Sequence, residues 1–276
     1  MIFLDNKMID LRIIKLAKIL TDYSIKIKKG DIIELSFGMD AAPLALECYK
    51  NILKKGAFPA THAAPPGFTH AYYKYASEEQ LSKTPEIAMF ESKKVAGSIS
   101  IASPHNTKEL TGIDPKKMGI RSKAVHPISE ITMKKNNWVI CDYPTNALAQ
   151  DAEMSLEEFE DFVYKATNID YKELSRKQTK IKQILDKGKE VRIISHDTDL
   201  SFSISGRQGI KCDGHRNVPD GEVFIAPVEN STEGYITYSY PAIRGGREVE
   251  GIRLEFKKGK VVSATATKNE DRKSVV

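Results

Sequence analysis

Lys28-Lys-Gly-Asp-Ile-Ile-Glu-Leu-Ser-Phe37 sets a turn directly before a short run rich in β-branched and aromatic residues. Lys28-Lys29-Gly30-Asp31 has turn composition, and Ile32–Phe37 has the makings of a strand. The flanking patterns are helical. Upstream, Ile9, Ile13, Leu16 and Leu20 recur at the spacing of one helix face. Downstream, residues 43–55 carry Leu44, Leu46, Cys48, Ile52 and Leu53 and stop at Gly56, a residue suited to ending a helix. Further on, Trp138-Val-Ile-Cys-Asp142 is a second strand candidate. Ser155-Leu-Glu-Glu158 has the spacing of a capping box and opens a helix through Phe159, Phe162 and Val163. Strands alternating with helices predict a layered α/β domain with a largely parallel sheet.

The texture changes near residue 185. Val191–Ser195, Leu200–Ser205, Gly234–Tyr240, Gly251–Phe256 and Val261–Thr267 are short strand patterns, separated by turns such as Gly245-Gly246 and Lys258-Gly-Lys260. Their period-two alternation predicts an antiparallel β region with one buried face. The expected organisation is a layered α/β domain over 1–185, with a Lys-rich helical connector near 171–189. A β-rich, α+β region over 186–270 follows.

The 276 residues are enough for one large domain or two ordinary ones. No apolar run reaches the roughly 18 residues that a membrane-spanning helix needs, so no membrane partner is expected. Cys48, Cys141 and Cys212 are widely spaced and form no Cys-x-x-Cys, which suggests neither a disulfide framework nor a thiolate zinc site. That usage fits a reducing cytoplasm. The net charge of +5 is spread along the chain as lysines mixed with acids, so no nucleic-acid partner is expected.

No phosphate-loop, dinucleotide, serine-hydrolase or His-Glu-x-x-His signature is present. Looser groupings remain. His196-Asp-Thr-Asp199 offers metal ligands at a strand end, but its residue types suit a polar hairpin turn better. Cys212 and His215 are three apart, yet a structural zinc needs four ligands and no second pair is near. His62 and His70 flank a Pro-rich segment, and His105 and His126 adjoin prolines, which suggests loops and turns. Tyr72-Tyr-Lys-Tyr75 could stack on bases, though packing against a neighbouring element suits it better. Glu222 stands between the turn Pro219-Asp-Gly221 and an apolar run. A carboxylate there is either solvated at a strand end or held by something positive.

The block Asp213-Gly-His-Arg-Asn-Val-Pro-Asp-Gly-Glu-Val-Phe-Ile-Ala-Pro-Val-Glu229 is followed by Tyr240-Pro-Ala-Ile243 and Gly246-Arg-Glu-Val-Glu-Gly251. Together they closely resemble the thermophilic-type metallo-aminopeptidase family, the aminopeptidase T and aminopeptidase S group. Tyr143–Tyr164 and Asp22–Asp31 resemble it too, in order along nearly the whole chain. The resemblance implies a homodimeric exopeptidase that releases N-terminal residues from peptides. It implies two divalent ions (zinc, cobalt or manganese), with Glu222 as the first metal-binding carboxylate and 186–270 as the start of the catalytic domain. Paired dications of that kind polarise a scissile carbonyl and activate a water.

Complete members of the family supply a second glutamate, two histidines, an aspartate and a tyrosine from a later segment, which these 276 residues do not contain. The chain as written is therefore expected to be inactive. Asp271-Arg-Lys-Ser-Val-Val276 also matches one reading frame of a common sequencing adapter, so residues 271–276 are expected to be a non-native tail. The alternative to an enzyme is a non-catalytic peptide-binding module that keeps the fold without the metal site.

Overall fold

The computed structural model of the protein describes residues 10–244 and 247–268. Ile9, the Gly245-Gly246 turn with the glycine that opens the last resemblance block, and the 271–276 tail lie outside the described residues. The chain divides into two units, Met1–Tyr171 with Asp213–Asp220, and Lys172–Cys212 with Gly221–Val276.

In chain order the first elements are α1 (Leu11–Lys18), β1 (Ile32–Gly38), α2 (Ala42–Lys54), β2 (Phe58–Ala64), α3 (Phe68–Tyr75), α4 (Glu78–Ser82) and α5 (Glu86–Lys94). There follow β3 (Gly97–Ala102), α6 (Pro115–Lys135), β4 (Trp138–Asp142), α7 (Asn146–Asp151), α8 (Leu156–Thr167) and α9 (Tyr171–Lys187). The strands of the later part are β5 (Glu190–Ser195), β6 (Thr198–Ser203), β7 (Ile210–Lys211), β8 (Asn217–Val218) and β9 (Val223–Phe224). The last are β10 (Glu233–Thr237), β11 (Ala242–Arg244), β12 (Arg247–Val249), β13 (Arg253–Lys257) and β14 (Lys260–Thr265).

The first unit is built on a parallel sheet of order β2-β1-β3-β4-β8. Ile32 pairs with Phe58, Ile33 with Gly97, Ser98 with Trp138 and Cys141 with Val218. Burial explains why the Ile32–Phe37 run sits inside the sheet, between β2 and β3. Ile33 and Leu35 are fully buried, as are Leu16, Leu20, Leu44 and Ile52 from the helices and Ile99 from β3. The Asp10 carboxylate caps α1 by accepting from the Arg12 amide at 2.8 Å. The Ser155–Glu158 capping box forms in both directions at the start of α8. From β1 the chain crosses to β2 on one side, then returns past β1 to β3 on the other.

The second unit holds an antiparallel sheet of order β14-β13-β10-β6-β5. Tyr235 pairs with Glu255 on one side of β10 and with Asp199 on the other. Val249, Ile252 and Leu254 form a buried cluster, with Ile236, Phe256 and Ala264 packed on it. The small ladders β7 with β9 and β11 with β12 complete the strands. The fold class is α/β with an antiparallel second part.

Several local features are set by tertiary contacts. The texture change near 185 falls inside α9, and the packing division lies at the start of that helix. Residues 213–220 return to the first unit, where Asn217–Val218 extends the parallel sheet. His62 lies on β2 and His126 in the middle of α6, neither in a loop. Pro127 sits inside α6. A proline there removes one helical hydrogen bond, at a cost of about 3 kcal/mol in an isolated helix, so tertiary packing overrides local preference.

Candidate functional site

Glu222 immediately precedes β9, which pairs with β7 through Lys211 opposite Val223 and Ile210 opposite Phe224. The ladder is two residues long and is anchored from outside. The Cys212 amide donates to the Glu222 carbonyl at 2.9 Å. Gln178 on α9 donates its side-chain amide to the Cys212 carbonyl at 2.8 Å and to the Glu222 carbonyl at 2.9 Å. The Lys211 ammonium bonds the Ser175 hydroxyl at 2.7 Å and the Thr179 hydroxyl at 3.2 Å, both on α9. Gln178 is only 2% exposed, so the backbone of Glu222 is fixed by a buried clamp while its carboxylate is exposed. The Cys212 thiol lies beside that carboxylate, with Sγ 3.7 Å from Oε1.

Neither of the other groupings gathers metal ligands. In His196–Asp199, Asp197 accepts from the Thr237 hydroxyl at 2.7 Å and from Arg253 at 2.7 Å. The Thr237 hydrogen bond, then the Arg253 contact, hold its carboxyl below the usual range. Asp199 forms a two-point fork with Arg192 at 2.8 and 2.7 Å, which lowers its carboxyl likewise. The turn at the β5–β6 hairpin accounts for these residues.

Cys212 belongs to the second unit and His215 to the first. His215 pairs its Nδ1 with Asp213 at 2.8 Å, and its ring lies 4.5 Å from that of Tyr23. Burial and then the Asp213 charge push the Tyr23 hydroxyl up to about 12. Arg216 stacks over Trp138 at 5.2 Å. The Asp213–Asp220 part of the resemblance block therefore belongs to the first unit, and Glu222 lies in the second. His62 pairs with Glu91 at 2.7 Å and His105 with Asp40 at 3.1 Å. Tyr72 on α3 packs under Arg121 at 5.2 Å and donates to the Gln80 carbonyl at 3.1 Å, a packing role.

Two dications held close together need several hard oxygen or imidazole ligands. Among the described residues no group of three or more His, Cys, Asp or Glu is placed to hold a metal ion. Glu222, with a single soft thiol beside it, supplies one hard carboxylate ligand for such a centre and not the whole set. Gln178 was not singled out in the sequence, since a glutamine within a Lys-rich helix carries no periodic signal of burial.

Over residues 9–274 the chain matches the thermophilic metalloprotease (M29) family. Aminopeptidase 2 of Geobacillus stearothermophilus is 24% identical over 289 residues, spanning 91% of this chain and 69% of that one. Aminopeptidase AmpS of Bacillus subtilis strain 168 is 22% identical, spanning 92% and 70%. The structure of wild-type AmpT from Thermus thermophilus shares the fold, with a TM-score of 0.80, 21% identity and coverage of 95% of this chain and 72% of that one. No helix among the described residues is long and apolar enough to cross a membrane. With the match running almost from end to end, this chain belongs to the thermophilic metalloprotease (M29) family.

Proposed function

We propose that the protein is a metal-dependent aminopeptidase that releases N-terminal residues from peptides, with Glu222 as one carboxylate of a dinuclear metal centre. The observation that carries this reading is the family match over residues 9–274, together with relatives named as aminopeptidases. Glu222 is supported by its placement, an exposed carboxylate on a backbone held by Gln178. Homodimer formation and a cytoplasmic location belong to the same reading. We further propose that the 276 residues alone do not turn over peptides, because Glu222 has no set of co-ligands among the described residues.

The test uses leucyl-p-nitroanilide with cobalt, zinc or manganese. The 276-residue chain is expected to show no turnover. A chimera continued with the C-terminal part of Aminopeptidase 2 is expected to show it, with loss on Glu222→Gln. Turnover by the 276 residues themselves would sink the inactivity proposal. A chimera that binds two ions and peptides yet cuts nothing would favour the non-catalytic binding module.

A further inference from the structure

In an open parallel sheet, ligands bind outside the carboxyl ends of the strands where the chain reverses its direction across the sheet. Here that point lies between β1 and β3, because β2 and β3 flank β1 on opposite sides. A cavity of about 420 Å³ opens there, lined by the ends of β1, β2, β3 and β4 at Gly38, Ala64, Ala102 and Asp142.

Three carboxylates, Asp40, Glu109 and Asp142, and one imidazole, His105, line the cavity, with no lysine or arginine among the described lining residues. His105 is paired with Asp40 at 3.1 Å, and Glu109 accepts from the Gly67 amide at 2.8 Å. Burial raises the Asp142 carboxyl above its ordinary range. The second observation is independent. Ser103 lines the same cavity, is 9% exposed, and its hydroxyl has no hydrogen-bond partner among the described residues. A buried hydroxyl without a partner is costly unless something supplies one. The β1 end allows that placement only because residue 38 is glycine, since a Cβ there would collide with the Ser103 hydroxyl.

We propose that this cavity binds a small primary amine that carries no acidic group, its ammonium held by Asp142 and Asp40 and hydrogen-bonded to the Ser103 hydroxyl. The charge of the lining repels phosphates and carboxylates. A metal ion is disfavoured because the described residues form no group of three ligands. The site lies wholly in the first unit and depends on no peptidase activity.

The test is hydrogen–deuterium exchange of the whole chain in EDTA, with and without 1,4-diaminobutane. Protection is expected over residues 38–42, 102–106 and 141–145. Affinity falls about tenfold or more in Asp142→Asn, as it does when one partner of a charge pair is removed. Ser103→Ala is expected to fold, since its hydroxyl has no partner to lose, and to weaken binding as well. 4-Aminobutyrate, which adds a carboxylate, is expected to give no protection. Absence of protection by the diamine, protection confined to other segments, or equal affinity in Asp142→Asn and Ser103→Ala would each overturn the proposal.

Discussion

The side-chain amide of Gln178 donates to the main-chain oxygens of both Cys212 and Glu222, at 2.8 and 2.9 Å. One buried side chain thus ties α9 to the residue that follows β7 and to the residue that precedes β9, the latter bearing the candidate metal carboxylate. Gln178→Leu removes both bonds and leaves the Cys212 carbonyl short of its donor. Losing a buried partner of this kind costs about 1–3 kcal/mol. Gln178→Glu is expected to cost more, because it turns acceptors toward two carbonyl oxygens. Chemical denaturation gives the stability change, and faster amide exchange at Cys212 checks that the clamp itself has opened.

Two glycines predict opposite signs. Gly234 has φ +105°, and a Cβ there would run into the main chain at Asp199 on the neighbouring strand. Gly234→Ala is expected to destabilise the second unit by about 1–3 kcal/mol, the range for a strained backbone position. Gly119 lies inside α6 with open space where a Cβ would go. Gly119→Ala is expected to stabilise by about 0.5–1 kcal/mol through helix preference. Thermal melts of both variants beside the parent check the pair.

The β5–β6 hairpin makes stability depend on acid. Asp197 and Asp199 have carboxyls held below their ordinary value of 3.8, first by bonds to Thr237 and Arg192 respectively. A depressed carboxyl contributes stability above the unfolded value and loses it as pH falls through the folded one. The second unit is therefore expected to weaken below about pH 4. Asp199→Asn should flatten that slope, because the variant lacks at pH 6–8 the stability that the parent loses only on acidification. Melting temperatures between pH 3 and pH 7 decide the matter, and an unaltered slope in the variant would count against it.

Thiol chemistry should separate the cysteines. Cys48 and Cys141 are fully buried, and burial raises both thiols, whereas Cys212 is partly exposed. Since the thiolate is the reacting form, native protein is expected to react first at Cys212. The other two should follow only on unfolding. Mass mapping after brief iodoacetamide treatment reads this directly.

Legibility followed locality. Ile32–Phe37, Trp138–Asp142 and the later antiparallel strands were visible because alternation and turn residues act over a few positions. β2 was not, because Phe58-Pro-Ala-Thr-His-Ala-Ala64 has neither alternation nor β-branched density and is a strand only by pairing with β1. α6 was hidden by Pro127, and β8 by being two residues long on a segment that returns from far along the chain. Glu222 was singled out from its turn and its resemblance block. The clamp that holds it was not, because Gln178 is polar among polar neighbours and becomes buried only in the folded state.

The sequence by itself determined the α/β class, the position of most strands and the family resemblance, since these follow from short-range periodicity and ordered motifs. Only the tertiary structure decided that Asp213–Asp220 joins the first unit, that Gln178 bridges Cys212 and Glu222, and that Asp40, Ser103 and Asp142 line one cavity. Strand order and burial depend on contacts between residues tens of positions apart. Hydrogen bonding and desolvation select those contacts in the folded chain, and local preference does not encode them.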